Sequence, residues 1–155
     1  MINLILKNPN CRNLAFVKRK KQILEKIPED ITELYPEARE IERHFILHVG
    51  DTNTGKTHDA MKELASAKTG GYFAPLRLLA LEGQEKLSAE GVVCSMRTGE
   101  EEDIRPDATH ISCTVEMLDT KKYMDMAVID EAQMIEDSSR GYAWTNAILG
   151  CYSPR

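Results

Sequence analysis

Residues 50–57, GDTNTGKT, hold two glycines five positions apart, followed by a lysine and a threonine. Gly50 and Gly55 permit positive φ, so successive backbone amides can point towards phosphate oxygens. Lys56 offers a cation for the β- and γ-phosphates, and the Thr57 hydroxyl is a ligand for Mg²⁺. The pattern therefore predicts a phosphate-binding loop (P-loop) for ATP. Its rim comprises Asp51, Thr52, Asn53 and Thr54, of which Asn53 and Thr54 are predicted nucleotide contacts.

A pair of carboxylates follows the apolar run 126–129, MAVI. Asp130 is placed to hold Mg²⁺ through water, and Glu131 to orient or deprotonate an attacking water. Together with the P-loop, the pair predicts binding of Mg-ATP and transfer of its phosphate to water. A kinase could also use Glu131, so these residues alone leave the acceptor open.

The elements that must position these residues alternate along the chain, which predicts an α/β fold with a mostly parallel sheet flanked by helices. In such a sheet, ligands bind at the carboxyl ends of the strands, where both motifs fall. Strands are predicted at 44–49, 71–75, 92–98, 108–113 and 124–130. Helices are predicted at 57–68, 76–91, 114–121 and 140–150, after a helical lead-in at 17–27 and 35–44.

The composition is that of a soluble domain, with a net charge of -5 and no apolar run long enough to cross a membrane. The scattered cysteines Cys11, Cys94, Cys113 and Cys151 predict reduced, buried thiols in a reducing compartment.

Residues 1–24 carry six basic side chains and no acidic one. We interpret them as a solvated basic helix or arm, with a mitochondrial transit segment as the alternative. The predicted division is a lead-in at 1–42 and one domain at 43–155.

The segment DEAQ, 130–133, is compatible with two classes of enzyme, since it resembles both the DEAD/DEAH box of superfamily 2 helicases and a segment of bacterial-type thymidine kinases. Segments after the other strands resemble helicase elements that hold a nucleic-acid backbone. Small hydroxyl and amide donors with one arginine can grip phosphates without reading bases. Arg77 could equally be a surface salt-bridge partner, and Thr114 a helix cap. The predicted nucleic-acid contacts are Pro75, Arg77, Thr98, Gly99, Thr114 and Glu116.

Over about residues 34–150, the order and spacing of these segments resemble the mitochondrial degradosome RNA helicase family and its bacterial relatives. The matching segments are YPEAR, GDTNTGKTHDAM, APLRLLALE, TGEE, HISCTVEM, VIDEAQMI and RGYAWTNAILG. Asp51 stands where the family usually has proline, and Ala132 replaces the isoleucine of DEIQ. Within RGYAWT, Arg140, Gly141 and Trp144 match the family; a helix cap and a buried aromatic are the simpler interpretation.

The resemblance implies a RecA-like P-loop domain, the first motor domain of an ATP-dependent helicase. The track would be single-stranded RNA, with DNA as an alternative, and the polarity 3′ to 5′. Gln133 would couple the metal site to a second RecA-like domain, and helicases of this family often have an exoribonuclease as partner.

Bacterial cytoplasm is expected as the location of the protein, with the mitochondrial matrix as the alternative. Motif III and the second domain would follow residue 155, so we expect this chain alone to hydrolyse ATP slowly or not at all. A nucleoside kinase of the thymidine kinase type and a non-catalytic nucleotide-binding module remain alternatives.

Overall fold

The structure of the protein is a computed structural model that describes residues 31–50 and 55–155. The basic start, the predicted helix at 17–27 and the loop-rim residues Asp51, Thr52, Asn53 and Thr54 lie outside the described residues. The chain divides between Leu34 and Tyr35 into two units. In the first unit, a 3-10 helix spans Ile31–Leu34. No described helix is long and apolar enough to cross a membrane.

The second unit, Tyr35–Arg155, contains a five-stranded sheet with helices between its strands. Two of its loops also contain 3-10 helices, at Val115–Met117 and Ala132–Glu136. The α-helices are α1 (Pro36–Arg39), α2 (Lys56–Ser66), α3 (Arg77–Ala89) and α4 (Gly141–Gly150). The strands are β1 (Gly70–Ala74), β2 (Cys94–Arg97), β3 (Glu102–Asp103), β4 (His110–Thr114) and β5 (Met126–Ile129).

The strand order is β3-β2-β4-β1-β5, and every neighbouring pair is parallel except β2 and β3. The predicted α/β class with a mostly parallel sheet is therefore confirmed. Because β1, β2, β4 and β5 run the same way, the residues that follow them lie along one edge of the sheet. The short antiparallel β3 was predicted as loop; two residues are too few to show the alternation that marks a strand.

Helices cover both faces of the sheet, and alternate residues of β1 fill the two resulting cores. Phe73 points to one core with Val115, Trp144 and Ala147, and these residues are almost wholly buried. On the opposite face, Tyr72 packs in a second core, whose members come from α2, β1, α3, β2 and β5. The apolar members of this second core are Met61, Leu64, Ala74, Ala80, Leu87, Cys94 and Met126.

The predicted strand at 44–49 is wrong, since this segment is not assigned to a strand. Its side chains are exposed, with Leu47 at 81% and Val49 at 88%. The His44 amide donates to the Pro154 carbonyl (2.8 Å), but beyond that point the segment borders a cavity whose opposite wall is β5. A strand needs a neighbour for its backbone groups, and apolar composition alone does not supply one.

Two predicted helices are also shorter than expected. The segment 35–44 is helical only at Pro36–Arg39, and 114–121 only as the 3-10 turn Val115–Met117.

The three described cysteines are buried, as predicted, and Cys11 lies outside the described residues. Burial raises the pKa of Cys94 and Cys113 to about 12 and that of Cys151 to about 11. These thiols are therefore protonated at neutral pH.

Asp125 fastens the starts of β1 and β5 together, and we expect this contact to make stability depend on pH. Its Oδ2 accepts hydrogen bonds from the Thr69 hydroxyl (2.8 Å) and amide (3.0 Å). The Thr69 hydroxyl is the main cause that lowers the pKa of Asp125. A carboxyl whose folded pKa is lowered stabilises the fold above its unfolded pKa of about 3.9, and this contribution is lost as pH falls through the folded value. Asp125→Asn is therefore expected to lower the free energy of unfolding at pH 7.

Urea unfolding at pH 7, 5 and 3 measures this effect, because the difference between the natural chain and Asp125→Asn should shrink towards pH 3. Asp107→Asn, at an exposed aspartate, is the matched control and should show little difference at any pH. The pKa values of Asp103 and Asp137 are lowered as well, so some acid sensitivity remains in the variant. A difference that stayed constant from pH 7 to pH 3 would rule out the carboxylate as its source.

Candidate nucleotide and nucleic-acid site

A cavity of about 750 Å³ brings the two predicted motifs together. It lies between the start of α2 and the carboxyl end of β5, and this volume is typical of small-molecule sites. The predicted nucleotide and metal residues that line it are Gly50, Gly55, Lys56, Thr57, Asp130, Glu131 and Gln133.

The phosphate side of the cavity is built on the first turn of α2. Gly55 precedes the helix with φ of 83°, a left-handed conformation that glycine adopts without strain. Lys56 and Thr57 are the first two helical residues, so their side chains stand beside the amides at the positive end of the helix dipole. The Lys56 ammonium donates to the Gly50 carbonyl (2.5 Å), which joins the first residue of α2 to the residue that follows the segment 44–49.

The carboxylate side is built on the residue after β5. The Asp130 amide donates to the Phe73 carbonyl (2.9 Å), which extends the pairing of β5 with β1 by one residue. One carboxylate oxygen of Asp130 accepts from the Tyr72 hydroxyl (2.6 Å), and the other from the Glu131 amide (2.9 Å). Asp130 is thus held in one orientation at the mouth of the cavity.

Glu131 has φ of 50° and is the only described non-glycine residue with positive φ. It precedes the 3-10 helix Ala132–Glu136, and its carbonyl accepts from the Met134 amide (2.9 Å). Its exposed carboxylate accepts a hydrogen bond from the Gln133 amide group. The structure therefore brings together Glu131, Gln133 and Asp130 at the wall of the cavity that faces the P-loop.

Tyr72 supports this site, although no motif in the sequence marks it. Burial first, and then its hydrogen bond to Asp130, raise the pKa of Tyr72 well above its usual value, so its hydroxyl stays a donor. Gly83 of α3 leaves room for the ring, because a Cβ there would lie 2.4 Å from Tyr72 Cδ1. The signal in the sequence was Tyr72 itself, whose polar hydroxyl group lies in the middle of the buried strand β1.

Two of the predicted nucleic-acid elements, which follow β1 and β2, meet through Arg77. Its Nη1 donates to Glu100 Oε2 (2.7 Å), and its Nη2 lies 3.6 Å from Glu101 Oε2. Both ion pairs are exposed, so they contribute little to stability and can be exchanged for other anions. Arg77 is thus a surface salt-bridge partner at this edge of the sheet, which was one of the two roles that the sequence allowed.

Thr98 and Gly99 form the turn that holds these glutamates. Thr98 is buried, and its hydroxyl accepts from the Glu101 amide (3.0 Å) and donates to the Glu101 carbonyl (3.1 Å). Gly99 is exposed, and apart from its two chain neighbours no residue has an atom within 4 Å of a Cβ built on it. The Thr98 hydroxyl therefore shapes the turn, and the exposed backbone at Gly99 is the part that can approach a ligand.

The elements after β1 and β4 meet at a residue outside the predicted contact set. Arg140 donates from Nη2 to the Pro75 carbonyl (2.6 Å) and from Nε to Glu116 Oε1 (2.8 Å). Thr114 precedes the turn Val115–Met117 but makes no side-chain capping bond. The structure thus joins Pro75 and Glu116 through one guanidinium group.

The donor groups that line this cavity fit Mg-ATP. A left-handed glycine, a helix N-terminus of an 11-residue helix and a lysine suit the phosphates. The Thr57 hydroxyl and the Asp130 carboxylate are oxygen donors, which Mg²⁺ prefers. Both line the same cavity.

Comparison with known proteins identifies the family. The model of the DEXQ-box helicase domain of Suv3 matches residues 31–155. The rice "ATP-dependent RNA helicase SUV3L, mitochondrial" is 52% identical over 116 residues, which are 75% of this chain and 16% of that protein. The human "ATP-dependent RNA helicase SUPV3L1, mitochondrial" is 51% identical over 75% of this chain and 15% of its own length. The Saccharomyces cerevisiae "ATP-dependent RNA helicase SUV3, mitochondrial" is 47% identical over 80% and 18%.

The chain spans less than a fifth of the length of these relatives. The match confirms the family resemblance predicted from the strand-end segments, and it favours a helicase over a nucleoside kinase. Because the family model covers most of the sequence, this chain belongs to the family of DEXQ-box helicase domains of Suv3.

Proposed function

We propose that this chain is the ATP-binding first motor domain of a superfamily 2 helicase that moves on RNA. The observation that carries the proposal is the cavity that joins the P-loop residues to the DEAQ residues at the carboxyl edge of the sheet. Family membership and the names of the relatives, all RNA helicases, support the same function.

In this proposal, Gly50, Gly55 and Lys56 hold the phosphates, while Thr57 and Asp130 hold Mg²⁺. Bound Mg²⁺ would neutralise charge on the β- and γ-phosphate oxygens. The hydroxyl of Tyr72 keeps the Asp130 carboxylate turned towards the cavity. Asn53 and Thr54 remain proposed nucleotide contacts.

Glu131 is the proposed group that accepts a proton from the attacking water. Its carboxylate is exposed beside Asp130 and is contacted by Gln133, which keeps it near the cavity. Gln133 is the proposed residue that relays changes at this carboxylate to a second motor domain. The glutamate also argues against a purely non-catalytic nucleotide switch.

The proposed RNA-binding surface is the carboxyl edge of the sheet, at the turns after β1, β2 and β4. Arg77, the Gly99 backbone and Thr114 would contact phosphates, so that recognition does not depend on base identity. Pro75, Thr98 and Glu116 would shape these turns, because their polar groups already bond within the fold.

We further propose a mitochondrial location, because the relatives carry mitochondrial names, in preference to the bacterial cytoplasm. The proposed partners are a second RecA-like domain and an exoribonuclease. A 3′ to 5′ polarity belongs to the same proposal.

Phosphate release from Mg-ATP tests the function, measured with this domain in the full-length helicase that the proposal implies, because the domain alone is expected to hydrolyse ATP slowly or not at all. Four samples are compared: no addition, single-stranded RNA, single-stranded DNA and thymidine. We expect RNA to accelerate release more than DNA, and thymidine to have no effect. Acceleration by thymidine alone would support a nucleoside kinase, and equal rates in all four samples would contradict a nucleic-acid motor.

A further inference from the structure

We propose that Arg140 and Trp144 couple the nucleotide site to the RNA-binding edge, so that each ligand changes the affinity for the other. This inference rests on the proposed function and names positioning residues for it. We call the two side chains, with their bonds to Asp130, Pro75 and Glu116, the Arg140–Trp144 linkage.

The first half of the linkage is the hydrogen bond from Trp144 to the nucleotide site. Trp144 is fully buried in the core, and its indole Nε1 donates to the Asp130 carbonyl (2.9 Å). That carbonyl belongs to the same peptide unit as the Glu131 amide, which donates to Asp130 Oδ1 (2.9 Å). The indole therefore fixes the peptide plane that sets the direction of the Glu131 side chain.

The second half of the linkage is the guanidinium of Arg140. It lies over the Trp144 ring, with Cζ 5.4 Å from the ring centroid, a distance at which cation–π attraction operates. The same group contacts the Pro75 carbonyl after β1 and Glu116 after β4. The Arg140–Glu116 pair is about two-thirds buried, so solvent weakens it less than it weakens the exposed pairs of Arg77.

The backbone that carries Arg140 is also held by hydrogen bonds. Its amide donates to Asp137 Oδ1 (2.8 Å), and the Gly141 amide donates to the Asp137 carbonyl (2.8 Å). Asp137 directly follows the 3-10 helix Ala132–Glu136, which begins after Glu131. The start of α4 is therefore joined to the DEAQ segment by backbone and by side chain.

The consequence is a route between two sites made only of packed and hydrogen-bonded groups. An RNA phosphate at the turns of Pro75 and Glu116 would attract the Arg140 guanidinium and displace it. The Trp144 indole, which contacts this guanidinium, would transmit the displacement to the peptide of Asp130. Mg-nucleotide at Asp130 would act in the reverse direction. Coupling between two binding sites is reciprocal and is typically worth about 5- to 150-fold in affinity.

Anisotropy of a fluorescein-labelled ten-uridine RNA measures this coupling. The dissociation constant is determined with and without saturating Mg-AMPPNP, a non-hydrolysable ATP analogue, for the natural chain and three variants. Arg140→Lys keeps the charge but loses the planar, two-nitrogen contact. Trp144→Phe keeps a ring but loses the donor to Asp130. Arg105→Lys changes an arginine that pairs with Asp103 at the end of the antiparallel strand β3, at the opposite edge of the sheet, and is the matched control.

For the natural chain and Arg105→Lys, we expect Mg-AMPPNP to change the RNA dissociation constant by about 5-fold or more. Arg140→Lys should bring that ratio close to one while each ligand alone still binds, and Trp144→Phe should do the same. Circular dichroism shows whether either variant misfolds. Because the two variants disturb different groups, the coupling ratio of the folded variant then tests the inference alone.

A ratio unchanged in both variants would overturn the inference, as would a natural chain that binds both ligands without coupling. In both of these outcomes the proposed function would stand. A natural chain that bound Mg-AMPPNP but no RNA would instead overturn the proposed function, and this inference with it.

Discussion

Replacing Lys56 with alanine is expected to weaken Mg-ATP binding by about 10- to 150-fold, which corresponds to about 1.5–3 kcal/mol for a hydrogen bond to a charged group. The ammonium lies 2.5 Å from the Gly50 carbonyl and beside the first amides of α2, so it is already placed at the phosphate end of the cavity. Alanine removes that charge and leaves the helix N-terminus in place. Titration of the chain with a fluorescent ATP analogue measures the effect.

Lys62→Ala is the matched control for this titration, since Lys62 is an exposed lysine on the same helix. It removes the same charge from the protein as a whole and should leave nucleotide affinity nearly unchanged. An equal loss of affinity in both variants would mean that net charge, and not the position of Lys56, governs binding.

Glu131→Gln is expected to slow phosphate release by about 10²- to 10⁴-fold, the range of a general base, while Mg-ATP affinity changes by less than about threefold. Glutamine has nearly the same shape and keeps a side chain that can bond to Gln133, but it cannot accept a proton from water at neutral pH. Single-turnover release from labelled ATP by the full-length helicase, together with a binding titration, separates the two quantities.

Glu136→Gln is the matched control, because Glu136 is an exposed glutamate at the far end of the same 3-10 helix. It should release phosphate at the natural rate. If Glu131→Gln lost affinity and rate in equal measure, the residue would be a binding group, and its proposed role as a base would be wrong.

Much of the fold could be predicted because polar residues and proline bound its apolar segments. The strand β1 lies between Thr69 and Pro75, and β5 ends directly at the acidic pair. The segment 44–49 has an equally apolar composition, yet it forms no strand, because strand formation depends on a neighbouring backbone. The sequence shows how well a segment suits a sheet, but not which neighbour it has.

The candidate site shows the same limit at the level of side chains. The P-loop and DEAQ could be recognised because each motif is contiguous, and its residue types follow from phosphate and metal chemistry. Tyr72 bonds to Asp130 across 58 positions in the sequence, and Arg140 bonds to Pro75 across 65. Such pairs become visible only when the register of β1 against β5 and β4 is known.

The left-handed backbone of Glu131 has a consequence for selection. For a residue with a Cβ, this conformation costs about 1–2 kcal/mol, whereas glycine adopts it freely. Selection for folding stability alone would favour glycine at this position. The glutamate therefore lowers the free energy of unfolding while it supplies the carboxylate proposed for catalysis. Glu131→Gly should accordingly unfold at a higher temperature than the natural chain while turning over no ATP.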